Sequence, residues 1–224
     1  TEDQGTKETQ LTVARMLVNA GGPWVEDIIR NTVRITSSER VRLVRGSHIV
    51  TQKLFDHDKC YFFQGEDGRI IFAIPYETDF TLIGTTDSDH DAPSIKPECS
   101  EAEADYLRAF ASGYFKRPIT KEDIVWSYAG VRPLYDDGLS SATAATRDYV
   151  LKLNQDDGGA PLLNVFGGKI TTHRKLAEAA LAKICPFFPN AGANWTAGIS
   201  LPGGDFPLDG VIALIRSLRK NYPF

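Results

Sequence analysis

A pair of adjacent glycines between an apolar run and a helical pattern is the clearest candidate for chemistry in this sequence. Gly167-Gly168 follows the run Leu162 to Phe166, which has the length of a buried strand, and a helical pattern follows over His173 to Ala182. Glycines let a backbone approach a ligand closely, and the start of a helix presents free N–H groups with a partial positive charge. Lys169 adds a full charge. The turn suits a phosphate or an electron-rich ring, and an ordinary strand–helix connection is the alternative from spacing alone.

A second turn of the same kind lies near the start of the sequence. We predict a strand over Leu11 to Val18, then the turn Asn19-Ala20-Gly21-Gly22, then a helix over Pro23 to Arg30. Proline suits the first helical position because its φ angle is already helical and no N–H is needed there. A ligand loop and a plain strand–helix connection explain this local sequence equally well.

The composition indicates a soluble globular protein. The 224 residues are 42% hydrophobic and 24% charged, with a formal net charge of -4 and no long basic run, so we expect no nucleic-acid surface. We find no apolar stretch of the roughly 18 residues that a membrane span needs, and the polar start predicts no secretory signal peptide. Three separated cysteines and four scattered histidines predict reduced thiols in the cytoplasm and no metal site.

Between the two glycine turns, the sequence changes to the alternating pattern of β-strands. The step Asp67-Gly68 between two such runs predicts a hairpin, and we expect a mostly antiparallel platform sheet. Three or four strands are expected, in the runs Val41 to Val44 leading into Gly46 to Val50, Cys60 to Gln64, Arg69 to Tyr76 and Phe80 to Gly84.

A helix and two further strands follow the platform. Ser100 and Glu103 form a capping box at the helix start, Pro118 ends the helix, and its aromatic side chains are expected in the core. Strands are predicted over Asp123 to Tyr128 and Tyr149 to Asn154. A final helix is predicted over residues 208–220, with one apolar face directed inward that comprises Val211, Leu214, Ile215 and Leu218. The whole order predicts an α+β (mixed α/β) fold in which a β-rich segment lies between two halves of a parallel-sheet domain.

Six short blocks, in this order, resemble the FAD-dependent glycerol-3-phosphate dehydrogenases, which share a fold with D-amino-acid-oxidase-like flavoproteins. Each block alone is a weak signal, and the six together extend over Leu11 to Gly204. Gly22 stands where the family commonly has threonine, which leaves the turn chemistry intact. The blocks are Val18 to Trp24, Arg45 to His48, Ile83 to Asp87, Trp126 to Leu134, Thr146 to Tyr149 and Phe166 to Thr172.

The resemblance implies an antiparallel-sheet substrate domain inserted into part of an FAD-binding parallel-sheet domain. Residues 1–40 then end the first part of the FAD domain, 41–128 form the substrate sheet with its crossing helix, 129–204 return to the FAD domain, and 205–224 begin a C-terminal helical region. The family's GxGxxG turn, which holds the FAD pyrophosphate, does not occur in these residues. We therefore expect an internal fragment of a longer enzyme that is inactive by itself and has lost most of its affinity for FAD.

The resemblance also implies roles for particular residues. Arg132 is the expected cation at the substrate, where it stabilises negative charge on the reacting oxygen or grips a phosphate, and His48 is the expected proton acceptor. Lys169 and Thr171 are expected beside the flavin and the substrate phosphate, with Arg147 as a further candidate. The expected cofactor-binding residues are Ala20, Gly21, Gly22, Gly167, Gly168, Lys169, Ile170 and Thr171.

The implied reaction is the oxidation of sn-glycerol 3-phosphate to dihydroxyacetone phosphate by hydride transfer to FAD, with a quinone as the next electron acceptor. The family also implies a cytoplasmic protein with peripheral contact at the inner face of the cell membrane, and it allows a homodimer. Two alternatives stay open: a related flavin amine or amino-acid oxidase, in which the arginine of the GVRP block binds a carboxylate, and a non-catalytic binding module.

Overall fold

The computed structural model describes residues 2–3, 5–65, 68–138, 146–155 and 159–223. These residues form two compact units, Thr1–Leu176 and Ala177–Phe224. The first unit contains two β-sheets and is a mixed α/β structure, as the order of predicted elements indicated. The described strands are β1 (Leu17–Asn19), β2 (Val41–Gln52), β3 (Tyr61–Gln64), β4 (Ile70–Tyr76), β5 (Phe80–Gly84), β6 (Ser88–Asp89), β7 (Ile124–Tyr135), β8 (Val150–Asn154) and β9 (Leu162–Phe166).

Four α-helices are described, and short 3-10 or π-helical turns flank several of them. The segment after β1 is a 3-10 turn (Gly22–Trp24), one turn of α-helix and a π-helical turn (Ile28–Val33), whereas one regular helix over Pro23 to Arg30 was predicted. Further 3-10 turns are Ile170–Thr172, Cys185–Phe187 and Thr196–Gly198. The α-helices are α1 (Val25–Asp27), α2 (Glu101–Ser112), α3 (His173–Ile184) and α4 (Val211–Asn221).

The small sheet has the order β1-β9-β8 and places the two glycine turns at one edge. β1 and β9 are parallel, with Leu17 opposite Leu162 and Asn19 opposite Asn164, and β8 is antiparallel to β9. Because the carboxyl ends of parallel neighbours lie at the same edge of a sheet, the turns that follow β1 and β9 are neighbours as well. β9 is buried throughout its length, as its apolar run predicted.

The large sheet is organised around β2. β7 pairs with β2 over residues Val41 to Thr51 of β2. β5 pairs with the other side of β2, and the short strand β6, which follows β5 in the chain, pairs with β2 at Val44 and Arg45. β4 and β3 extend the sheet beyond β5 in antiparallel pairs. One face of this sheet is covered by α2, with a core formed by Ile49, Phe63, Ile71, Ala73, Ile83, Leu107, Ala111 and Ile119.

Several predicted boundaries were wrong for identifiable reasons. The strand predicted over Leu11 to Val18 is only β1, because β9 offers pairing partners to three residues, and Leu11 and Val13 are 91% and 90% exposed. The predicted run Val41 to Val44 does continue into Gly46 to Val50 as one strand, β2, because Gly46 pairs directly with Gly130 and causes no break. Strand β7 likewise continues through the GVRP block to Tyr135 instead of ending at Tyr128.

Two further predictions concern helix ends and faces. Helix α2 ends at Ser112 instead of before Pro118, since the Ser112 hydroxyl donates to the Arg108 carbonyl and accepts from the Ile119 amide where the chain turns. The four α4 side chains predicted to face inward are at least 38% exposed, because an apolar helical stripe does not specify what covers it. Asp67 of the predicted hairpin and Gly158 of the predicted turn lie outside the described residues, although β3 and β4 pair as predicted.

The described residues contain neither a membrane-spanning helix nor a metal-binding cluster of side chains. Within the described ranges, no helix is long and apolar enough to cross a membrane. The same part of the chain contains no group of three or more His, Cys, Asp or Glu residues that could hold a metal ion.

Candidate active site

The face of the large sheet opposite α2 brings together the two residues predicted to be catalytic. Pairing of β2 with β7 places His48 opposite Tyr128 and Val44 opposite Arg132, and alternate residues of a strand share a face. Gly46 lies between His48 and Val44 on this face. A Cβ atom on Gly46 would lie 2.5 Å from both terminal nitrogens of the Arg132 guanidinium. The absence of a side chain at Gly46 therefore makes room for Arg132.

A second glycine leaves room for the imidazole ring of His48. Gly84 of β5 is the opposite neighbour of His48, and a Cβ atom on Gly84 would overlap the imidazole ring. On its other side the ring stacks on Tyr128, with centroids 4.9 Å apart and planes 5° from parallel. His48 is thus held between a glycine and an aromatic ring, which fixes its orientation in the sheet.

The electrostatics of His48 suit a proton acceptor. Its Nδ1 atom is buried and has no hydrogen-bond partner among the described residues. Burial lowers the pKa of His48 below its ordinary value of 6.5, and the nearby Arg132 guanidinium lowers it further. The imidazole is therefore neutral at neutral pH and can accept a proton.

The segment after β5 supplies the hydrogen-bond acceptors of Arg132. Its guanidinium donates to the Asp87 carboxylate over 3.0 Å, to the Thr85 hydroxyl over 3.0 Å and to the Thr86 carbonyl over 3.5 Å. Burial lowers the pKa of Arg132 below its ordinary value and the Asp87 charge opposes that effect, so the group remains a cation at neutral pH. Arg132 itself lies within β7, three residues before its end.

Arg147 joins the same cluster through Asp87. One carboxylate oxygen of Asp87 binds Arg132, and the other accepts from Arg147 over 3.1 Å. Two guanidiniums therefore share one carboxylate, which leaves one net positive charge in the group. Such a charge favours an anionic ligand, and guanidiniums bind the oxygens of phosphate or carboxylate particularly well.

Two cavities adjoin this cluster. Lys169 and Gly168 line one of about 310 Å³ together with Arg132 and Arg147. This cavity brings together three of the four predicted substrate-binding residues, while Thr171 is not part of its lining. The second cavity, of about 700 Å³, is lined by Gly68, Arg69, Ile70, Phe72, Thr85, Asp87 and Arg147.

The glycine turns of the small sheet have the backbone that a closely held ligand requires. Gly22, Gly167 and Gly168 have φ angles of 56°, 65° and 97°, in the region that L-residues rarely adopt. A Cβ atom on Gly21 would lie 2.6 Å from a terminal carbon of Ile28, and one on Gly168 would lie 2.8 Å from a terminal carbon of Leu176. Both turns are tight, glycine-dependent and located at the carboxyl edge of parallel strands, where α/β sheets bind ligands.

The remaining predicted cofactor residues lie beside these turns. Ala20 is exposed directly after β1. Ile170 and Thr171 form the 3-10 turn that leads into α3, and the Ile170 side chain is 85% exposed. Thr172 closes this turn, because its hydroxyl donates to the Lys169 carbonyl over 3.1 Å.

A row of asparagines, of which Asn19 and Asn164 are buried, connects the two turns, and no role was predicted for it from the sequence. The Asn19 amide donates to the Asn164 side chain over 2.9 Å and to the Val25 carbonyl over 2.9 Å, and its oxygen accepts from the Gly21 amide over 3.2 Å. Asn164 in turn donates to Asn154 of β8. The available signal was an asparagine in each of two otherwise apolar strands, since a buried amide must be paired.

Asp87 and Thr85 were also missed as functional candidates. Both belong to a block that carried the family resemblance, Ile83 to Asp87, but no role was assigned to them. A carboxylate next to a predicted anion site repels the anion, and its pairing with two arginines is visible only in three dimensions.

Comparison with known proteins identifies relatives along the whole chain. Residues 1–174 match the family described as DAO, FAD dependent oxidoreductase. The chain is 45% identical over 224 residues to D-erythritol 1-phosphate dehydrogenase of Brucella abortus, covering 100% of this chain and 44% of the relative. It is 47% identical over 209 residues to glycerol-3-phosphate dehydrogenase of Pseudomonas aeruginosa, covering 93% of this chain and 41% of the relative.

A solved structure agrees with these relatives. The crystal structure of glycerol-3-phosphate dehydrogenase from Bacillus halodurans complexed with FAD is similar with a TM-score of 0.74 and 31% identity. The similarity covers 98% of this chain and 41% of that one. The chain thus spans less than half the length of the relatives that it matches.

Proposed function

Because this chain belongs to the family of FAD-dependent oxidoreductases, we propose that it is part of a longer enzyme that oxidises sn-glycerol 3-phosphate to dihydroxyacetone phosphate. The observation that supports this substrate is the cluster in which Arg132 and Arg147 share Asp87, with Lys169 lining the adjoining cavity. This cluster is cationic, and His48, the candidate proton acceptor, lies close enough to Arg132 to be affected by its charge. A phosphorylated secondary alcohol needs both features, a cation for its phosphate and a base for its hydroxyl.

The residues of the small sheet fit FAD. Gly22, Gly167 and Gly168 provide backbone N–H groups without side chains in the way, and Ala20, Gly21, Lys169, Ile170 and Thr171 belong to the same turns. When bound, FAD supplies an acceptor for the hydride of the alcohol carbon. Lys169 and the start of α3 would favour negative charge on a reduced ring.

The protein side chains have separable tasks in this proposal. Loss of hydride from C2 accompanies loss of the hydroxyl proton, so negative charge grows on the C2 oxygen. Neutral His48 accepts that proton on a ring nitrogen. Arg132 and Arg147 bind the phosphate together with Lys169 and Thr171, and their charge and hydrogen bonds orient the substrate.

The proposal includes partners that rest on the family resemblance alone. Electrons pass from the enzyme to a quinone, and the protein contacts the inner face of the cell membrane as a peripheral protein on the cytoplasmic side. A homodimer is compatible with this arrangement.

A second candidate substrate is D-erythritol 1-phosphate. D-erythritol 1-phosphate dehydrogenase of Brucella abortus is 45% identical to this chain over all 224 residues of the chain. This identity is comparable with that of the glycerol-3-phosphate dehydrogenase of Pseudomonas aeruginosa. Both substrates carry a phosphate and a row of hydroxyl groups, so the same arginine cluster suits either one.

The test is turnover by the complete natural protein that carries this sequence, purified with its flavin. We expect a flavin absorption spectrum and reduction of an electron-accepting dye with glycerol 3-phosphate. A strong preference for D-erythritol 1-phosphate would select the second candidate. Turnover of glycine or sarcosine without turnover of either phosphate would contradict the proposal and favour an amine or amino-acid oxidase.

A separate measurement addresses the 224 residues alone. We expect calorimetric titration with FAD to give no heat at micromolar concentrations, since these residues contain no GxGxxG turn for the pyrophosphate. Micromolar affinity would mean that the two glycine turns suffice for binding.

A further inference from the structure

We propose that Asp87 is a positioning residue that holds Arg132 and Arg147 together as one binding unit for the substrate phosphate, an inference that rests on the proposed function. Asp87 itself repels a phosphate, so it contributes through the two arginines that it orients. No role was expected for it from the sequence.

Asp87 binds each arginine through a different carboxylate oxygen. Its Oδ1 accepts from Arg132 over 3.0 Å and its Oδ2 accepts from Arg147 over 3.1 Å. The Asp87 side chain is only 14% exposed, whereas those of Arg132 and Arg147 are 29% and 45% exposed. The carboxylate thus lies beneath the guanidiniums. Each guanidinium has five N–H donors, so these bonds leave donors for a ligand on the exposed side.

The segment that carries Asp87 is fixed from behind by α2. Thr85 and Asp87 bond to Arg132, while the hydroxyls of Thr86 and Ser88 donate to the Glu103 carboxylate over 2.9 and 3.3 Å. Successive residues of an extended segment point to opposite sides, so Thr85 and Asp87 face the arginines while Thr86 and Ser88 face α2. The segment is therefore held between the helix on one side and the arginines on the other, so that the position of Asp87 is well defined.

Two effects of Asp87 on a bound anion oppose each other. Its negative charge reduces the net charge of the cluster from two to one, which weakens anion binding. Its two hydrogen bonds keep both guanidiniums in one place, which strengthens binding because less side-chain freedom is lost when the ligand arrives. Hydrogen bonds to charged groups are among the stronger ones in proteins, whereas long-range charge effects near the surface are screened by water and salt. Positioning should therefore dominate.

The experiment compares Asp87→Asn, Asp87→Glu and the wild type in the complete natural protein. For Asp87→Asn, we expect the KM for glycerol 3-phosphate, or for D-erythritol 1-phosphate if that is the preferred substrate, to rise about 10- to 100-fold, with a much smaller fall in kcat. The same variant should bind inorganic phosphate more weakly in a calorimetric titration. Asp87→Glu keeps the charge and should recover part of the loss.

The matched control is Asp89→Asn. Asp89 lies two residues further along, pairs with Arg42 over 2.8 Å and is 64% exposed, so its replacement should leave KM unchanged. Phosphate binding by Asp87→Asn that equals or exceeds that of the wild type would overturn the inference and indicate a charge-balancing role. If Asp87→Asn does not fold, Asp87→Glu decides, since a pure charge role predicts that this variant matches the wild type.

Failure of this inference is distinguishable from failure of the proposed function. A wild-type enzyme that oxidises a polyol phosphate while Asp87→Asn keeps its KM refutes only the role of Asp87. A wild-type enzyme that oxidises no polyol phosphate refutes the proposed function.

Discussion

Space at single residues decides where the candidate catalytic groups can lie. Gly46 and Gly84 are neighbours of His48 and Arg132 on one face of the large sheet, and a Cβ atom at either glycine would collide with one of these side chains. Gly130, directly opposite Gly46, has open space around its missing Cβ. The glycines therefore differ in function although they share one sheet.

Gly46→Ala should move Arg132 while the fold is retained. The new methyl group meets the end of the flexible Arg132 side chain, which can shift at modest cost, and the hydroxyl of Thr85. We expect kcat/KM to fall by about 100-fold, since a misplacement of 1 Å in a binding group can have that effect. Steady-state kinetics and a thermal melt are the measurements, with Gly130→Ala as the control. Equal effects of the two substitutions would contradict this explanation.

The pH dependence of His48 follows from its surroundings. Burial and the Arg132 charge both disfavour the imidazolium, so the pKa of His48 measured by NMR should lie below 6.5. Replacement Arg132→Gln removes a nearby positive charge and should raise this pKa. In the wild type, kcat/KM should fall only as the pH drops below 6.5, because protonated His48 cannot accept a proton. A wild-type pKa above 6.5 would contradict this picture.

At the scale of elements, helix α2 supports the site through its first turn. Glu103 completes the capping box with Ser100 and also accepts hydrogen bonds from Thr86, Ser88 and Arg45 on the large sheet. Burial alone would raise the pKa of Glu103, but the hydrogen bonds from Ser100 and Thr86 outweigh it and lower the pKa to about 2. The same carboxylate thus caps a helix and attaches it to the segment that holds Asp87.

Glu103→Gln should destabilise the protein in a pH-dependent manner. The folded-state pKa of about 2 lies below the ordinary value of 4.5, so the ionised group stabilises the fold above pH 4.5 and this stabilisation is lost as the pH falls toward 2. Denaturant unfolding at pH 7 should show a loss of about 2–3 kcal/mol in the free energy of unfolding. The difference from the wild type should shrink near pH 3.

Glu101→Gln is the control for this experiment. Glu101 lies in the same helical turn but is exposed, and its only described ion pair is with Lys121 at the surface. Its replacement should change the free energy of unfolding by less than about 1 kcal/mol. A difference for Glu103→Gln that does not vary with pH would show that the ionised carboxylate has no special role.

At the scale of the whole molecule, the small sheet depends on contacts between distant parts of the sequence. β1 pairs with β9 across 145 residues, and the hydrogen bond between Asn19 and Asn164 connects the strands that carry the two glycine turns. The large sheet is formed from the chain between these strands. Folding of the large sheet therefore brings the two halves of the candidate cofactor site together.

Asn164→Leu should weaken flavin binding in the complete natural protein. The substitution leaves the buried amide of Asn19 without one of its partners, which costs about 1–3 kcal/mol and loosens the turn at Gly21. We expect a roughly tenfold higher Kd for FAD, measured by flavin fluorescence during reconstitution. The exposed Asn31, which bonds only to Asp27 in the described structure, provides the control substitution Asn31→Ala. An unchanged Kd for Asn164→Leu would exclude this role of the asparagine row.

The sequence by itself determined the local chemistry of this protein. Glycine pairs after apolar runs predicted both turns, the Ser100 and Glu103 pattern predicted the start of α2, and alternating residues predicted the antiparallel sheet, because each of these features depends on neighbours within a few residues. The resemblance carried by six blocks also agreed with the family match. Local signals of this kind can be recognised in the sequence without knowledge of the fold.

Only the tertiary structure decided which of these residues meet. The bridge from Asp87 to Arg132 and Arg147 spans 45 and 60 residues, and the pairing of Asn19 with Asn164 spans 145. Strand ends such as those of β1 and β7 also depended on which partner strand was available. Charge pairs and ladder hydrogen bonds form between chain segments whose proximity depends on the complete packing of the sheets, so no local pattern specifies them.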